Sequence, residues 1–357
     1  MTVPACTSTT HLDLSADHAS VLYGPRDVRA EQIARDTVGN GQVRISVSSV
    51  GLCGSDVHYF TDGRNGGKTV STPTVLGHEG FGTIIEVGTG VPESRLGQRV
   101  AVEPATPCLN CQTCFAGRYN ICPHGTCLGS PPTHGLLRST AVIPSMFAHP
   151  LPPQIRNREA TLIEPLAVAC WAVERAGSLT GKTVLVTGAG PIGLLVVQAA
   201  HAAGAAEVLV TDVSPSRLAA ARALGATTLS ADSSEVSTVG ADAALECSGS
   251  ESAIRTATRA LRPGGVLVLV GVCGAVDPGF PVEYVQSCEL DVRGCFRYGP
   301  GAFTTAIAWA ADKRVDLSPL VTSRFSLDHA TDALETASSD RSQLKVVIDV
   351  SPLEEYA

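Results

Sequence analysis

Over residues 43–102, apolar positions recur in short runs punctuated by glycine: VRISVSSVG, FGTIIEVG and GQRVAVEP. Valine and isoleucine alternating with polar residues suit half-buried strands, so this stretch predicts a small, strand-rich, barrel-like region. Residues 106–130 break the pattern. Cysteine, proline and glycine crowd together, periodicity is lost, and a loop that needs an external staple is expected. Near Thr161 strands and helices begin to alternate. The run KTVLVT at 182–187 reads as a buried strand, LLVVQAAHAAG as a helix ending at Gly204, and EVLVTD as the next strand. A helix at 216–224 stopped by Gly225, strands at 243–246, 266–270 and 290–295, and a helix at 251–261 complete the set. Apolar strands alternating with helices predict a parallel, doubly wound sheet. The tail from Ala302 reads helix, strand-like RFSL, helix, then KVVIDV, a run expected to rejoin the first region.

Composition narrows the function classes. Hydrophobic residues at 44% and charged residues at 17% fit a globular chain, and 357 residues suffice for two domains. A formal net charge of −8 offers no basic field to attract nucleic acid or an anionic membrane. No run reaches the roughly 18 apolar residues of a membrane span. Residues 1–20 lack the basic and apolar regions of a secretory signal, so they read as a poorly ordered leader and the chain as cytoplasmic. The four lysines, Lys68, Lys182, Lys313 and Lys345, set against many arginines, read as coding bias without functional content.

Between the first two strands of the alternating half lies GAGPIG: Gly188, Ala189, Gly190, Pro191, Ile192 and Gly193. Gly188 permits the turn, Gly190 lets backbone approach a pyrophosphate, and Gly193 lets the helix pack closely. The amides at the helix start then face the phosphate charge. Asp212 ends the second strand about 20 residues on, where a carboxylate accepts hydrogen bonds from the adenosine ribose. The same charge repels a 2′-phosphate, so NAD is expected over NADP. Arg217, close to Asp212, is expected to pack beside the adenine or ribose.

Two groups of residues suggest metal. Cys53 in GLCGSDVHY and the pair His78 and Glu79 in VLGHEG offer mixed ligands, with Glu164 in LIEPLAV as a fourth candidate. A catalytic zinc needs three protein ligands and an open position, and it acidifies a bound alcohol. Ser55 and His58 flank the cysteine at a spacing suited to a hydroxyl–imidazole proton relay. The second group is Cys108-x2-Cys111-x2-Cys114-x7-Cys122, four thiolates that would close a structural zinc shell. Redox disulfides and an iron–sulfur cluster are the competing readings. Cys127 falls outside the spacing and reads as a spare. Cys6, Cys170, Cys247, Cys273, Cys288 and Cys295 read as packing residues.

Together GHEGFGTIIEVGTGV, PCLNCQTCFAGRYNIC, EPLAVA and VTGAGPIG resemble the zinc-containing medium-chain dehydrogenases, within them the sorbitol, xylitol and L-idonate dehydrogenase branch. That resemblance implies a GroES-like catalytic domain from residues 1–165 and 297–357, a Rossmann NAD-binding domain from 166–296, and a homotetramer or homodimer. It further implies that Cys53, His78 and Glu79 ligate one zinc directly, while Glu164 either ligates it or holds its water. Tyr59, Arg297 and Tyr298 match positions that touch polyol hydroxyls in this family. Near Cys127 and Ser130 the sorbitol enzymes tend to carry an aromatic and a threonine, and His134 stands where an acidic residue is common. The implied reaction is reversible hydride transfer between a secondary alcohol of a polyol-like substrate and NAD. A cyclitol or aminocyclitol substrate, a non-catalytic nucleotide binder and a zinc-free quinone reductase are the alternatives.

Overall fold

The computed structural model describes residues 16–274 and 279–351. Cys6 and most of the expected leader lie outside these residues. The stretch read as leader through Ser20 overlaps a strand, because Ala16–Gly24 pairs antiparallel with Asp27–Ala34.

The chain builds two principal sheets. The first, with seven strands, runs in the order Ala148–Pro150, Arg99–Val102, Glu79–Val87, Gln42–Gly51, Lys345–Asp349 and Val321–Ser326. In Gln42–Gly51 the residues Val43, Ile45 and Val47 are fully buried, as the period-two pattern requires. This strand is long enough for two partners to share one edge. Thr140–Pro144 pairs with its residues 42–46 and Lys345–Asp349 with its residues 49–51. The C-terminal KVVIDV run thus does return to the N-terminal region.

The second sheet is wholly parallel, ordered Thr227–Ser230, Glu207–Asp212, Thr183–Thr187, Ala241–Glu246, Leu261–Leu269 and Asp291–Gly294. Numbered along the chain, that order is 3-2-1-4-5-6, and it reverses beside Thr183–Thr187. A dinucleotide binds at such a reversal, outside the carboxyl ends of the strands. Val184, Leu185 and Val186 are buried on both faces, which explains the uninterrupted apolar run. The strand Thr227–Ser230 was not anticipated. Its sequence, TTLS, is short and polar, and it forms only because it sits at the sheet edge beside Glu207–Asp212.

The helix Ile163–Ala176 packs against the helices Pro191–Ala202 and Ala302–Ala311 and joins the apolar core of the parallel sheet. Its first turn carries Glu164. Among the described residues no helix is long and apolar enough to cross a membrane.

Candidate active site

The long strand Gln42–Gly51 explains how the mixed cluster assembles. Gly51 is registered with Glu79 on one side and Val347 on the other, so the two neighbouring strands deliver Glu79 and Lys345 around one glycine. A Cβ on Gly51 would sit 2.6 Å from Glu79 Oε2 and 3.3 Å from Lys345 Cδ, which is why only glycine fits there. Immediately after this strand, Cys53 caps the helix Gly54–Asp62. His78 precedes the strand Glu79–Val87. The ligand atoms of Cys53, His78 and Glu79 all lie within 4.8 Å of one another, at half-buried to buried positions. Thiolate, imidazole and carboxylate converging this closely form a donor set that fits zinc, whose ligand bonds run about 2.0–2.3 Å.

Two partners that the sequence did not reveal hold this cluster. Lys345 Nζ lies 2.6 and 2.8 Å from the two Glu79 oxygens and donates to the Leu52 carbonyl at 3.0 Å, with both side chains almost fully buried. Burial, the largest influence, would favour a neutral amine, but the charges of Glu79, Cys53 and Glu164 and the Glu79 hydrogen bond together outweigh it, and the ammonium keeps its proton more firmly than usual. The reading of the lysines as mere coding bias therefore fails for Lys345. Asp56, fully buried, accepts from the amides of Cys53 (3.0 Å) and Gly77 (3.1 Å) and stands 3.7 Å from His78 Nδ1. Burial would raise its pKa, yet His78 and these donors bring it below the usual carboxylate value. One carboxylate therefore fixes the backbone before both a cysteine and a histidine.

The other candidates divide. Glu164 is buried near the cluster but is not among the three converging ligands. Burial first, then the Glu79 charge against the opposing pull of His78, leaves its carboxyl pushed up to about 7. Tyr59 is buried with its hydroxyl 3.2 Å from Ser130 Oγ. Tyr298 is buried too, its ring edge-on to Phe303, its hydroxyl without a hydrogen-bond partner, and its phenol raised by burial and by Glu164. Arg297 lies over the Phe296 ring and helps to lower the pKa of Cys127, which burial raises. Cys127 feels the charges of His78 and Glu164 and is not one of the four thiols that converge in the cysteine loop. Ser55 and His58 are not joined by a hydrogen bond among the described residues. His58 is exposed and its Nδ1 lies 3.2 Å from Asp62. His134 is an exposed loop residue accepting the Val75 amide proton.

Cys108, Cys111, Cys114 and Cys122 form a separate group, all within 4.8 Å. The sulfurs of Cys108 and Cys122, Cys111 and Cys114, and Cys111 and Cys122 are 3.4, 3.5 and 3.8 Å apart, too long for disulfide bonds. A tetrahedron of zinc–sulfur bonds has edges of about 3.8 Å, so the loop fits one ion. The Cys108 amide draws Cys122 down to about 6, while burial and Cys111 push Cys114 to about 12.

At the coenzyme turn Gly188 has φ +91°, open to glycine and costly to other residues. A Cβ on Gly193 would lie 1.8 Å from the Gly188 carbonyl oxygen, so the helix packs back on the turn itself. Gly190 caps the helix Pro191–Ala202, with Pro191 in its first turn, and nothing would obstruct a Cβ there, which leaves the approach to its backbone open. Asp212, largely buried, accepts the Ala189 amide at 2.7 Å and the Ser214 amide at 2.8 Å. It holds the phosphate turn in place, a task the sequence did not suggest, and each oxygen retains a lone pair for a ribose hydroxyl. Arg217 reaches the Arg341 carbonyl at 3.5 Å.

A switch-point coenzyme cradle and a mixed-ligand metal cluster in one chain point to a metal-dependent dehydrogenase. The models of the alcohol dehydrogenase GroES-like domain and of the zinc-binding dehydrogenase match residues 39–153 and 191–312. The chain belongs to this zinc-dependent alcohol dehydrogenase family and, like it, uses zinc and NAD. It is 40% identical over 343 residues to sorbitol dehydrogenase of Bos taurus, covering 93% of this chain and 96% of the relative. Sorbitol dehydrogenase of Bacillus subtilis is 36% identical over 340 residues, covering 92% and 96%. The structure of L-idonate 5-dehydrogenase from Escherichia coli superposes with a TM-score of 0.88 at 31% identity, covering 94% of this chain and 98% of that one.

Proposed function

We propose that this enzyme oxidises a secondary hydroxyl of a polyol, and reduces the ketone in reverse, at the cluster of Cys53, His78 and Glu79. The supporting observation is the company this cluster keeps. Tyr59 paired with Ser130, the unpartnered phenol of Tyr298 and the guanidinium of Arg297 supply donors and acceptors for several hydroxyls, where a hydrocarbon substrate would call for apolar walls. Cys53, His78 and Glu79 would hold a zinc ion supplying Lewis acidity toward the hydroxyl, and the Gly188–Gly193 turn would hold NAD as the hydride acceptor.

The chain's own residues do the rest. Lys345 and Asp56 orient Glu79 and His78. Glu164, with a carboxyl titrating near neutrality, is suited to exchange a proton with the substrate side of the site. Ser55 and His58, one helical turn apart though not hydrogen-bonded to each other, are the groups proposed to take the proton onward, with the exposed His58 ring open to solvent. Asp212 fixes the coenzyme turn and rejects a 2′-phosphate, with Arg217 along the adenosine side. Residues 1–165 and 297–357 form the catalytic domain and 166–296 the coenzyme domain, and the enzyme works as a homo-oligomer in the cytoplasm.

The smaller Cys127 and Ser130 favour one second reading. A cysteine in place of an aromatic leaves more room, which suits a ring-shaped cyclitol or aminocyclitol. Turnover across sorbitol, xylitol, L-idonate and inositols, with zinc counted per chain, tests both readings. Strong turnover of an acyclic polyol with about two zinc ions per chain supports the main reading. Turnover of cyclitols alone replaces it with the second, and absence of zinc overturns both.

A further inference from the structure

The four-cysteine loop is more than a staple. We infer that Asn120, on that loop, is a positioning residue for substrate, acting through the Arg297–Tyr298 segment. This rests on the reading of Arg297 and Tyr298 as polyol-contacting groups.

Tyr119 and Asn120 form the short turn just before Cys122, and each reaches inward from the lobe. Asn120 is 1% exposed, and its Nδ2 donates to the Phe296 carbonyl at 2.8 Å, across 176 residues of sequence. The next residue, Arg297, has φ +53°, the left-handed region that non-glycine residues enter at a cost. Such a backbone persists only where its surroundings fix it, and several contacts do so here. Arg175 donates to the Gly294 carbonyl at 3.1 Å, Cys295 donates to the Leu269 carbonyl at 2.8 Å, and Gly299 lies against the Trp171 ring. Asn120 holds the peptide directly before Arg297, and among these contacts it is the one made by the cysteine loop.

Tyr119 reaches the same place from the other side. Its hydroxyl donates to Glu103 at 2.8 Å, and the other Glu103 oxygen lies 2.7 Å from His149 Nε2. His149 stacks on Phe303 at 4.8 Å, and Phe303 meets the Tyr298 ring edge-on at 4.9 Å. Two consecutive loop residues therefore brace the two consecutive residues proposed to touch substrate. The coenzyme turn at Gly188–Gly193 has no part in either chain of contacts. Loss of the Asn120 bond should then loosen polyol binding and spare NAD.

The test is steady-state kinetics of the zinc-loaded enzyme with sorbitol and xylitol as probes, on Asn120→Ala, Arg297→Ala and the double variant. Asn120→Asp, which keeps the shape and loses the donor, serves as a second version. The expected result is a rise of about tenfold in polyol KM for either Asn120 variant, with NAD KM unchanged. In the Arg297→Ala background, Asn120→Ala should cost clearly less than it does alone, since part of its effect runs through that side chain and the rest through Tyr298. If Arg297→Ala raises polyol KM and both Asn120 variants match the wild type, the positioning role falls while the substrate reading stands. Equal penalties for Asn120→Ala with and without Arg297, or a parallel loss of NAD affinity, also overturn it. If Arg297→Ala leaves polyol KM unchanged, the substrate reading itself fails and takes this inference with it.

Discussion

The two cysteine-containing centres differ in how the fold makes them. The four-thiol loop draws all its ligands from residues 108–122, packs them in a lobe with little regular structure, and needs only the loop itself to close. The mixed cluster draws Cys53, His78 and Glu79 from the ends of paired strands and a helix, then secures them with Lys345 from the far end of the chain. The first is a local device whose four thiols could close round one ion. The second is a product of tertiary structure, in which strand register sets the ligands. A fully ligated site lends stability, whereas a site tied to a sheet by a buried ion pair can leave one position open for chemistry.

The sharpest way to break that contrast is Lys345→Met. Removing the ammonium leaves the Glu79 carboxylate buried and unpaired, and losing one partner of such a pair costs about 3–5 kcal/mol. The desolvation penalty outweighs the area gained by methionine, because the buried Glu79 carboxylate loses the ammonium that is bonded to both of its oxygens. Chemical denaturation should show that loss, and metal analysis should show the catalytic zinc reduced with the four-thiol zinc retained. Retention of both ions at wild-type stability would mean that the sheet does not tether the cluster. The converse variant, Cys111→Ser, should release the loop's ion and weaken the lobe while Cys53, His78 and Glu79 still bind theirs. Zinc stoichiometry falling by about one per chain in each case, from different sites, is the decisive measurement.

The same contrast governs what could be read from residues alone. Cysteine spacing and GAGPIG announce themselves because their partners are neighbours in sequence, and so do His78 and Glu79 beside their glycines. Lys345 could not be found this way, since 266 residues separate it from Glu79 and nothing in KVVIDV marks its first residue as buried. One signal was present: a lysine opening the apolar run Val346–Ile348 in a chain with four lysines in all. Asp56 was hidden for a different reason, as an aspartate in the first turn of a helix reads as capping, which it also is. Asn120 and Tyr119 looked like loop filler, because their partners Phe296 and Glu103 belong to other parts of the fold. The fold class was legible almost throughout, since strand and helix periods report burial directly. The edge strand Thr227–Ser230 escaped because burial there is slight.

A smaller effect sharpens the role of the buried carboxyl beside the mixed cluster. Glu164→Gln keeps the volume and removes the titrating group. Turnover should fall by roughly a hundredfold, the lower range for loss of a positioned acid or base, with NAD affinity unchanged. Zinc content should stay at the wild-type level, since Glu164 is not one of the three converging ligands. Unchanged turnover would remove Glu164 from the chemistry, and loss of zinc would make it a ligand.

The smallest effect belongs to the most local of the sites. In Asp212→Asn one oxygen remains to accept an amide, while the charge and one acceptor are lost. Two consequences follow from two separate causes. The turn loosens because either the Ala189 or the Ser214 amide loses its acceptor, which weakens NAD binding by about 1–2 kcal/mol, the scale of one buried hydrogen bond. Repulsion of a 2′-phosphate also disappears, so NADP binding should improve relative to NAD by about tenfold. Titration of both coenzymes separates the causes. Equal weakening of both would leave Asp212 as a backbone clamp alone, whereas a shifted ratio shows that its charge also selects the coenzyme. Either way the change stays within the parallel sheet, and zinc content, which depends on contacts made elsewhere, should not move.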